Sequence, residues 1–207
     1  MRELIIIGAG GHGKVAADIA KLNGYEHIMF LDDDGSIHLC SGYDVVGRTE
    51  DYKKYLRRSD FFVAIGNAPI REQVIEEIES DEGIMTTLVH PDAVIAAQVE
   101  IGSGTVVMAG AVINPGSRIG MGCIVNTSSS IDHDCVVGNY CHIAVGAHLA
   151  GTVNVGNGTW IGAGAIVSNN VNICGGCMIG AGAVVIKNID EAGIYIGVPA
   201  EKRISSK

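Results

Sequence analysis

The sequence predicts an α/β unit with a parallel sheet, followed by a parallel β-helix built of hexapeptide repeats. Three observations carry that expectation. Every sixth position from Ile95 to Val185 is aliphatic, without a gap. A column two places earlier, from Ala93 to Ala183, holds only small or β-branched residues. Before residue 90, short apolar runs alternate with segments of helical periodicity. Neither the helical period of about 3.6 nor the strand period of about 2 gives an interval of six. A fixed six-residue repeat marks a β-helix in which each row is one short strand and one corner. If three rows close a coil, residues eighteen apart stack at about 4.8 Å. The aliphatic column fills the interior, at roughly 1.5–3 kcal/mol of transfer free energy per side chain. Glycines recur just after that column (Gly102, Gly120, Gly138, Gly156, Gly162, Gly180), where a corner is expected to need unusual backbone angles.

The first unit should cover residues 1–89, the β-helix 90–186 and a C-terminal tail 187–207. Leu4 to Ile7 is a continuous apolar run, as in a buried parallel strand. Gly8-Ala9-Gly10-Gly11-His12-Gly13 turns the chain into a helix with Val15, Ile19 and Leu22 on one face, ending at Asn23-Gly24. Ile28–Leu31 is a second strand, residues 50–58 a helix, Phe61–Ile65 a third strand, Ile70–Glu79 a helix and Ile84–Val89 a last strand. Strand–helix alternation implies a parallel sheet, half the size of a full Rossmann domain. Pro91 biases His90 towards an extended entry into the β-helix. After Val185 the rows fail.

The 207 residues carry 14 basic and 23 acidic side chains, a net charge of −9. That argues against a nucleic-acid surface, which needs a basic stripe. No apolar run reaches the roughly 20 residues of a membrane span, and the N-terminus lacks a signal-peptide pattern. A cytoplasmic protein is expected. Four of the six cysteines (Cys123, Cys135, Cys141, Cys177) sit in the small-residue column and read as buried small hydrophobes. Cys174 and Cys177 form a lone CxxC, so neither metal nor disulfide is expected.

Gly8-x-Gly10-x-x-Gly13 lies between a strand and a helix, with Asp32 about twenty residues on. Alone, that fingerprint suggests NAD; the missing second half of the fold argues against it. The glycines still let a backbone approach a pyrophosphate at a helix N-terminus. His12 would face the same ligand, and Asp32 or Asp33 would accept hydrogen bonds from ribose, base or sugar. In the β-helix, Ile131-Asp132-His133-Asp134 interrupts a mostly neutral prism with an outward His133. Acyl transfer from a thioester to an amine needs a base of near-neutral pKa. A neighbouring carboxylate such as Asp134 would orient the imidazole. Gly151, eighteen residues on, stacks over His133 and could donate its N–H to an oxyanion.

With Gly10-Gly11-His12-Gly13, Asn126-Thr127-Ser128-Ser129, Ile131-Asp132-His133-Asp134 and Gly197-Val198-Pro199-Ala200, the whole chain resembles the bacterial sugar acetyltransferases of the bacillosamine and sialic-acid type. The resemblance implies a left-handed β-helix, a homotrimer with active sites between neighbouring prisms, and acetyl-CoA as co-substrate. It implies that His133 is the general base and that Asp134 raises its basicity. It further implies that Gly10, Gly11, His12, Asp32, Asp33 and Gly66 hold a nucleotide-sugar, and that His142, Gly151, Ala163 and Ala181 line the acetyl-CoA groove. His142, on another face of the coil, would reach His133 only across a subunit boundary. Asp132 and Asp134 stand where the family often has Glu, and unbroken rows leave no loop to carry the base. The expected activity is N-acetylation of a nucleotide-linked amino sugar, with a UDP-4-amino-4,6-dideoxy sugar as first candidate. Rival readings are O-acetylation of a sialic acid, a hexapeptide module without catalysis, and an NAD-linked enzyme. In the tail, Lys202, Arg203 and Lys207 are basic; Lys202 or Arg203 is either a contact for CoA phosphate or solvated.

Overall fold

The computed structural model describes residues 3–203, in two compact units that divide between Pro91 and Asp92. In the first, β1 (Glu3–Ile7) leads through the glycine loop to α1 (Gly11–Leu22) and β2 (His27–Leu31). A two-residue-strand hairpin, β3 (Leu39–Cys40) and β4 (Tyr43–Asp44), follows. The chain then forms a 3-10 turn at Thr49–Lys54, β5 (Ser59–Val63), α2 (Ala68–Ser80) and β6 (Ile84–Met85). The sheet order is β2-β1-β5-β6, all parallel. Leu4 to Ile7 are fully buried, as the continuous apolar run requires. The helix expected at 50–58 is the shorter 3-10 turn, and the strand expected at Ile84–Val89 is two two-residue strands.

β1 pairs with β2 on one side and β5 on the other, so the strand order reverses at β1. Ligands in open α/β sheets bind outside the carboxyl ends of the strands at such a switch point. The glycine loop and the segment after β5 both sit there: Ala64 N–H donates to Ile7 C=O, and Gly8 N–H to Leu31 C=O.

The second unit is a parallel β-solenoid of two-residue strands in three faces. One face runs from Val106–Val107 through Ile124–Val125, His142–Ile143 and Trp160–Ile161 to Met178–Ile179. Another carries Ser130–Ile131 and His148–Leu149, and the third Val136–Val137 and Asn154–Val155. Within the hexad rows, paired residues are eighteen apart. The aliphatic column is buried from Val107 to Val185, and so is the small column from Thr105 to Ala183. The solenoid outlasts the hexad pattern, because Ile194–Ile196 pairs in parallel with Met178–Ile179. Deleting interior atoms should be costly. Ile161→Ala, at a site with no solvent exposure, should destabilise the protein by about 2–5 kcal/mol in urea unfolding.

The corner glycines are explained differently from the expectation. The left-handed backbone falls two places further on, at Gly104, Gly110, Gly116, Gly122, Gly146, Gly158, Gly164, Gly176 and Gly182. Glycines just after the aliphatic column instead allow close approach of the next coil. A Cβ on Gly120 would stand 2.6 Å from Asn139 N, and one on Gly162 2.7 Å from Ala181 N. Where the left-handed slot is not glycine, it holds Ser128 (φ 55), Asp134 (φ 58), Thr152 (φ 62) or Asn170 (φ 62), among others.

Candidate active site

The corner that follows Ser130–Ile131 carries Asp132, His133 and Asp134. Asp134 occupies its left-handed slot, a conformation Asp tolerates better than most residues. From there its Oδ2 lies 2.9 Å from Nδ1 of His133, so adjacent residues do make contact. Gly116, one coil earlier, leaves the room: a Cβ there would come within 2.5 Å of Asp134 Oδ1. Asp132 is held separately. Its Oδ1 accepts from Asn114 Nδ2 and from the His133 N–H, both at 2.8 Å.

These contacts set the charges. The hydrogen bond to Asp134 raises the His133 pKa above 6.5 against the opposing desolvation, and the negative charge of Asp132 adds to it. The bond from Asn114, then that from the His133 N–H, keeps Asp132 below the usual carboxylate range. With Nδ1–H donating to Asp134, neutral His133 presents the Nε2 lone pair. Both side chains are solvent-exposed, at 57 % and 67 %, so the pair itself adds little stability.

Gly151 lies against that nitrogen. A Cβ on Gly151 would be 2.5 Å from His133 Nε2. Among the described residues no acceptor takes the Gly151 N–H, whereas Ala150 N–H and Thr152 N–H are bonded to Val167 and His133 carbonyls. A cavity of about 360 Å³ opens here, lined by Asp132, His133, Gly151, Thr152, Asn169 and Asn170. Asn114, Asn169 and Asn170 were not anticipated; Asn114 is eighteen residues before Asp132, so the stacking rule alone would find it.

His142 is on the face beside Trp160, with ring centroids 4.8 Å apart, and its Nε2 is 3.1 Å from Asn126 Nδ2. Asn126 also accepts from Thr127 N–H through its own side chain, which gives the Asn-Thr-Ser-Ser segment a structural role. Ala163 and Ala181 stack on another corner; Gly182 N–H donates to Ala163 C=O, while the N–H groups of Ala163 and Ala181 find no acceptor among the described residues. Lys202 pairs with Glu191 at 2.6 Å; Lys207 lies outside the described residues.

In the first unit, Gly8 (φ 102) packs so tightly that a Cβ would be 2.9 Å from Ala64 O, and one on Gly13 would overlap Gly8 O at 2.1 Å. Gly10 and Gly11 face open space. Gly10 caps α1 without a side chain, and the first turn has no acidic residue. Its leading amides therefore remain for an anion. Asp32 braces the loop itself, since its Oδ2 accepts from Ala9 N–H at 2.6 Å and its Oδ1 from Asp34 N–H at 2.9 Å. Asp33 accepts from Thr49 N–H and lines a cavity of about 570 Å³ with Arg48, Thr49, Tyr52, Ile70 and Gln73. Gly66 C=O accepts from Arg71, a fully buried guanidinium that also holds Ile65 C=O.

His12, in the first turn of α1, packs edge-on against Phe62 with ring centroids 6.1 Å apart. Its Nε2 is buried and has no hydrogen-bond partner among the described residues. Burial, then the Arg71 charge, lowers its pKa from 6.5 to about 4. The folded protein therefore keeps His12 neutral while the unfolded chain takes up the proton. Stability from this group is present above pH 6.5 and is lost as pH falls towards 4. The full loss is about 3 kcal/mol, at roughly 1.4 kcal/mol per pKa unit. His12→Gln should flatten that part of the stability–pH curve relative to wild type, read by urea unfolding at pH 7 and pH 4.5.

The comparisons with known proteins fit both units. Residues 3–78 match the model of the PglD N-terminal domain. The acetyltransferase domain of PglB from Neisseria gonorrhoeae FA1090 is 39 % identical, superposes with a TM-score of 0.95, and is covered in full by 98 % of this chain. The chain belongs to the PglB/PerB family of hexapeptide-repeat acetyltransferases. A second family member, a histidine variant of perosamine N-acetyltransferase from Caulobacter crescentus in complex with CoA and GDP-perosamine, is 33 % identical with a TM-score of 0.95, over 99 % of this chain and 98 % of that one. A UDP-N-acetylbacillosamine N-acetyltransferase from Bacillus subtilis (strain 168) is 33 % identical over 113 residues, 53 % of this chain and 52 % of the relative. The chain thus spans about half the length of that curated relative. Among the described residues there is no cluster of three metal-ligating side chains, and no helix is long and apolar enough to cross a membrane.

Proposed function

We propose that this protein is an acetyl-CoA-dependent N-acetyltransferase acting on a nucleotide-linked amino sugar, with a UDP-4-amino-4,6-dideoxy sugar as the first candidate acceptor. The observation that carries the reading is the His133 corner: Nδ1 bonded to Asp134 and Nε2 against Gly151, whose N–H is unengaged, beside an open cavity. The amine attacks the thioester carbonyl, and His133 Nε2 takes the proton that the new C–N bond releases. The Gly151 N–H steadies the oxyanion, a type of contact worth about 3 kcal/mol where a single donor has been removed. The tetrahedral intermediate then collapses, and CoA leaves as the thiol with a proton from the imidazolium. The relatives crystallised with acetyl-CoA, or with CoA and GDP-perosamine, support this choice of co-substrate and acceptor class.

The unengaged Ala163 and Ala181 amides suit the pantetheine arm, with His142 in the same groove. In the first unit, Gly10, Gly11, His12 and Gly66 surround the strand ends that suit a nucleotide diphosphate. Asp32 holds that loop in shape, and Asp33 faces the adjacent cavity. A homotrimer would place a neighbouring prism against the exposed His133 corner and exclude water from it. A cytoplasmic enzyme is part of the same reading. The test is thiol release from acetyl-CoA against a panel of UDP-, GDP- and dTDP-linked amino sugars. One nucleotide-linked amine should stimulate release well above hydrolysis. Release only with sialic acid, or with no acceptor, would overturn the reading.

A further inference from the structure

Four cysteines share the small-residue column, and one behaves differently. The thiols of Cys123, Cys135 and Cys141 donate to the carbonyls of Gly138, Ala150 and Gly156 on the next coil, at 3.0, 3.2 and 3.2 Å. Cys177 is the last of the residues stacked eighteen apart from Thr105, and it reaches a carbonyl, that of Glu191, only at 3.8 Å. Its Sγ instead lies 3.5 Å from Sγ of Cys174.

The turn between them brings the sulfurs together. Gly175 and Gly176 form its two central positions, Gly176 in the left-handed region at φ 71. Thr159, one coil earlier, ties both ends: its hydroxyl donates to Cys174 C=O at 3.1 Å and accepts from Cys177 N–H at 3.3 Å. A four-residue turn keeps its outer Cα atoms within about 7 Å, and a disulfide needs them roughly 4.4–6.8 Å apart. Cys177 is buried, whereas Cys174 is half-buried.

We propose that Cys174 and Cys177 are a dithiol that a low-molecular-weight disulfide closes into a bond across this turn, making the corner at Cys177 an oxidation site. It is separate from the His133 corner and independent of the functional reading. In the first step the Cys174 thiolate attacks one sulfur of the small disulfide. That S–S bond breaks, one thiol leaves with a proton, and a mixed disulfide remains on Cys174. In the second, Cys177 gives up its proton and attacks Cys174 Sγ, and the second small thiol is displaced. Two protein thiols are oxidised and one small disulfide is reduced to two thiols. Burial, then the bond to Cys174, holds the Cys177 thiol up at about 11, against the opposing charge of Lys202. Cys174, the more accessible of the two, is the attacking group, with Cys177 resolving once the sulfur beside it is an electrophile.

The test uses the full chain incubated with oxidised glutathione, then denatured, alkylated and cleaved after Trp160 and Met178. The fragment 161–178 contains no other cysteine. The expected product is this fragment lighter by two hydrogen atoms, with both alkylation sites lost until a reductant is added. Cys123, Cys135 and Cys141 should be alkylated fully in the same sample. With Cys177→Ser, a substitution the Ser117 and Ser129 positions of the same column already accommodate, the fragment should stop at one glutathione on Cys174. The proposal is overturned if both thiols of the wild type remain alkylatable, if a glutathione adduct persists there without ring closure, or if Cys123, Cys135 and Cys141 are oxidised to the same extent.

Discussion

His133→Ala should lower acceptor-stimulated thiol release by about 10²–10⁴-fold, the usual contribution of a general base, with the thermal midpoint within about 1 °C of wild type. The small stability effect follows from the outward, 57 % exposed side chain. The pH dependence gives a second reading of the same group. A base works when unprotonated, and the Asp134 hydrogen bond raises the His133 pKa above 6.5. Activity should therefore rise with pH through an apparent pKa above that value. Asp134→Asn removes the largest cause of the shift, so the acidic limb should move to lower pH even as the maximal rate falls. A limb that stays in place would assign the titration to another group.

Gly151→Ala should cost about 10²-fold in the same assay, although the added methyl group is small and lies on the outside of the solenoid. A Cβ there would stand 2.5 Å from His133 Nε2 and 2.7 Å from Cε1, so the imidazole must swing away. Misplacing a catalytic group by about 1 Å has costs of that size. The backbone N–H survives the substitution, so the loss comes through the displaced ring. In the His133→Ala background, Gly151→Ala should then cost little more, a strong departure from additivity between neighbours. Equal losses in both backgrounds would show that Gly151 acts without His133.

The sequence makes the solenoid legible because each coil repeats one environment. An interior site from Val107 to Val167 is enclosed by the coils above and below, and an aliphatic side chain suits it. The reasons for the corner glycines were less legible. A six-residue period shows that a position is special without separating left-handed backbone (Gly116, Gly176) from close approach (Gly120, Gly162). The hairpin of Leu39–Cys40 and Tyr43–Asp44 leaves no periodic trace, since two-residue strands are too short for one; its signal is the Ser41-Gly42 turn, at φ 50 and 84. At the candidate site, stacking by eighteen places Gly151 over His133, and it would equally have placed Asn114 under Asp132. The Asp134 contact depends on a positive φ that Asp alone does not announce. Asp32 fits a ligand-binding fingerprint by spacing, yet its oxygens hold the Ala9 and Asp34 amides. Hydrogen bonds within a loop are set by its local path, which spacing does not encode.

The most direct test is a crystal structure of the protein with CoA and the nucleotide-linked amino sugar that passes the thiol-release screen. The account predicts the sugar's amine within hydrogen-bond distance of His133 Nε2, about 2.6–3.2 Å, and the CoA sulfur beside the Gly151 N–H. An amine bound away from the His133 corner, with the thioester end of CoA on another face of the solenoid, would contradict it.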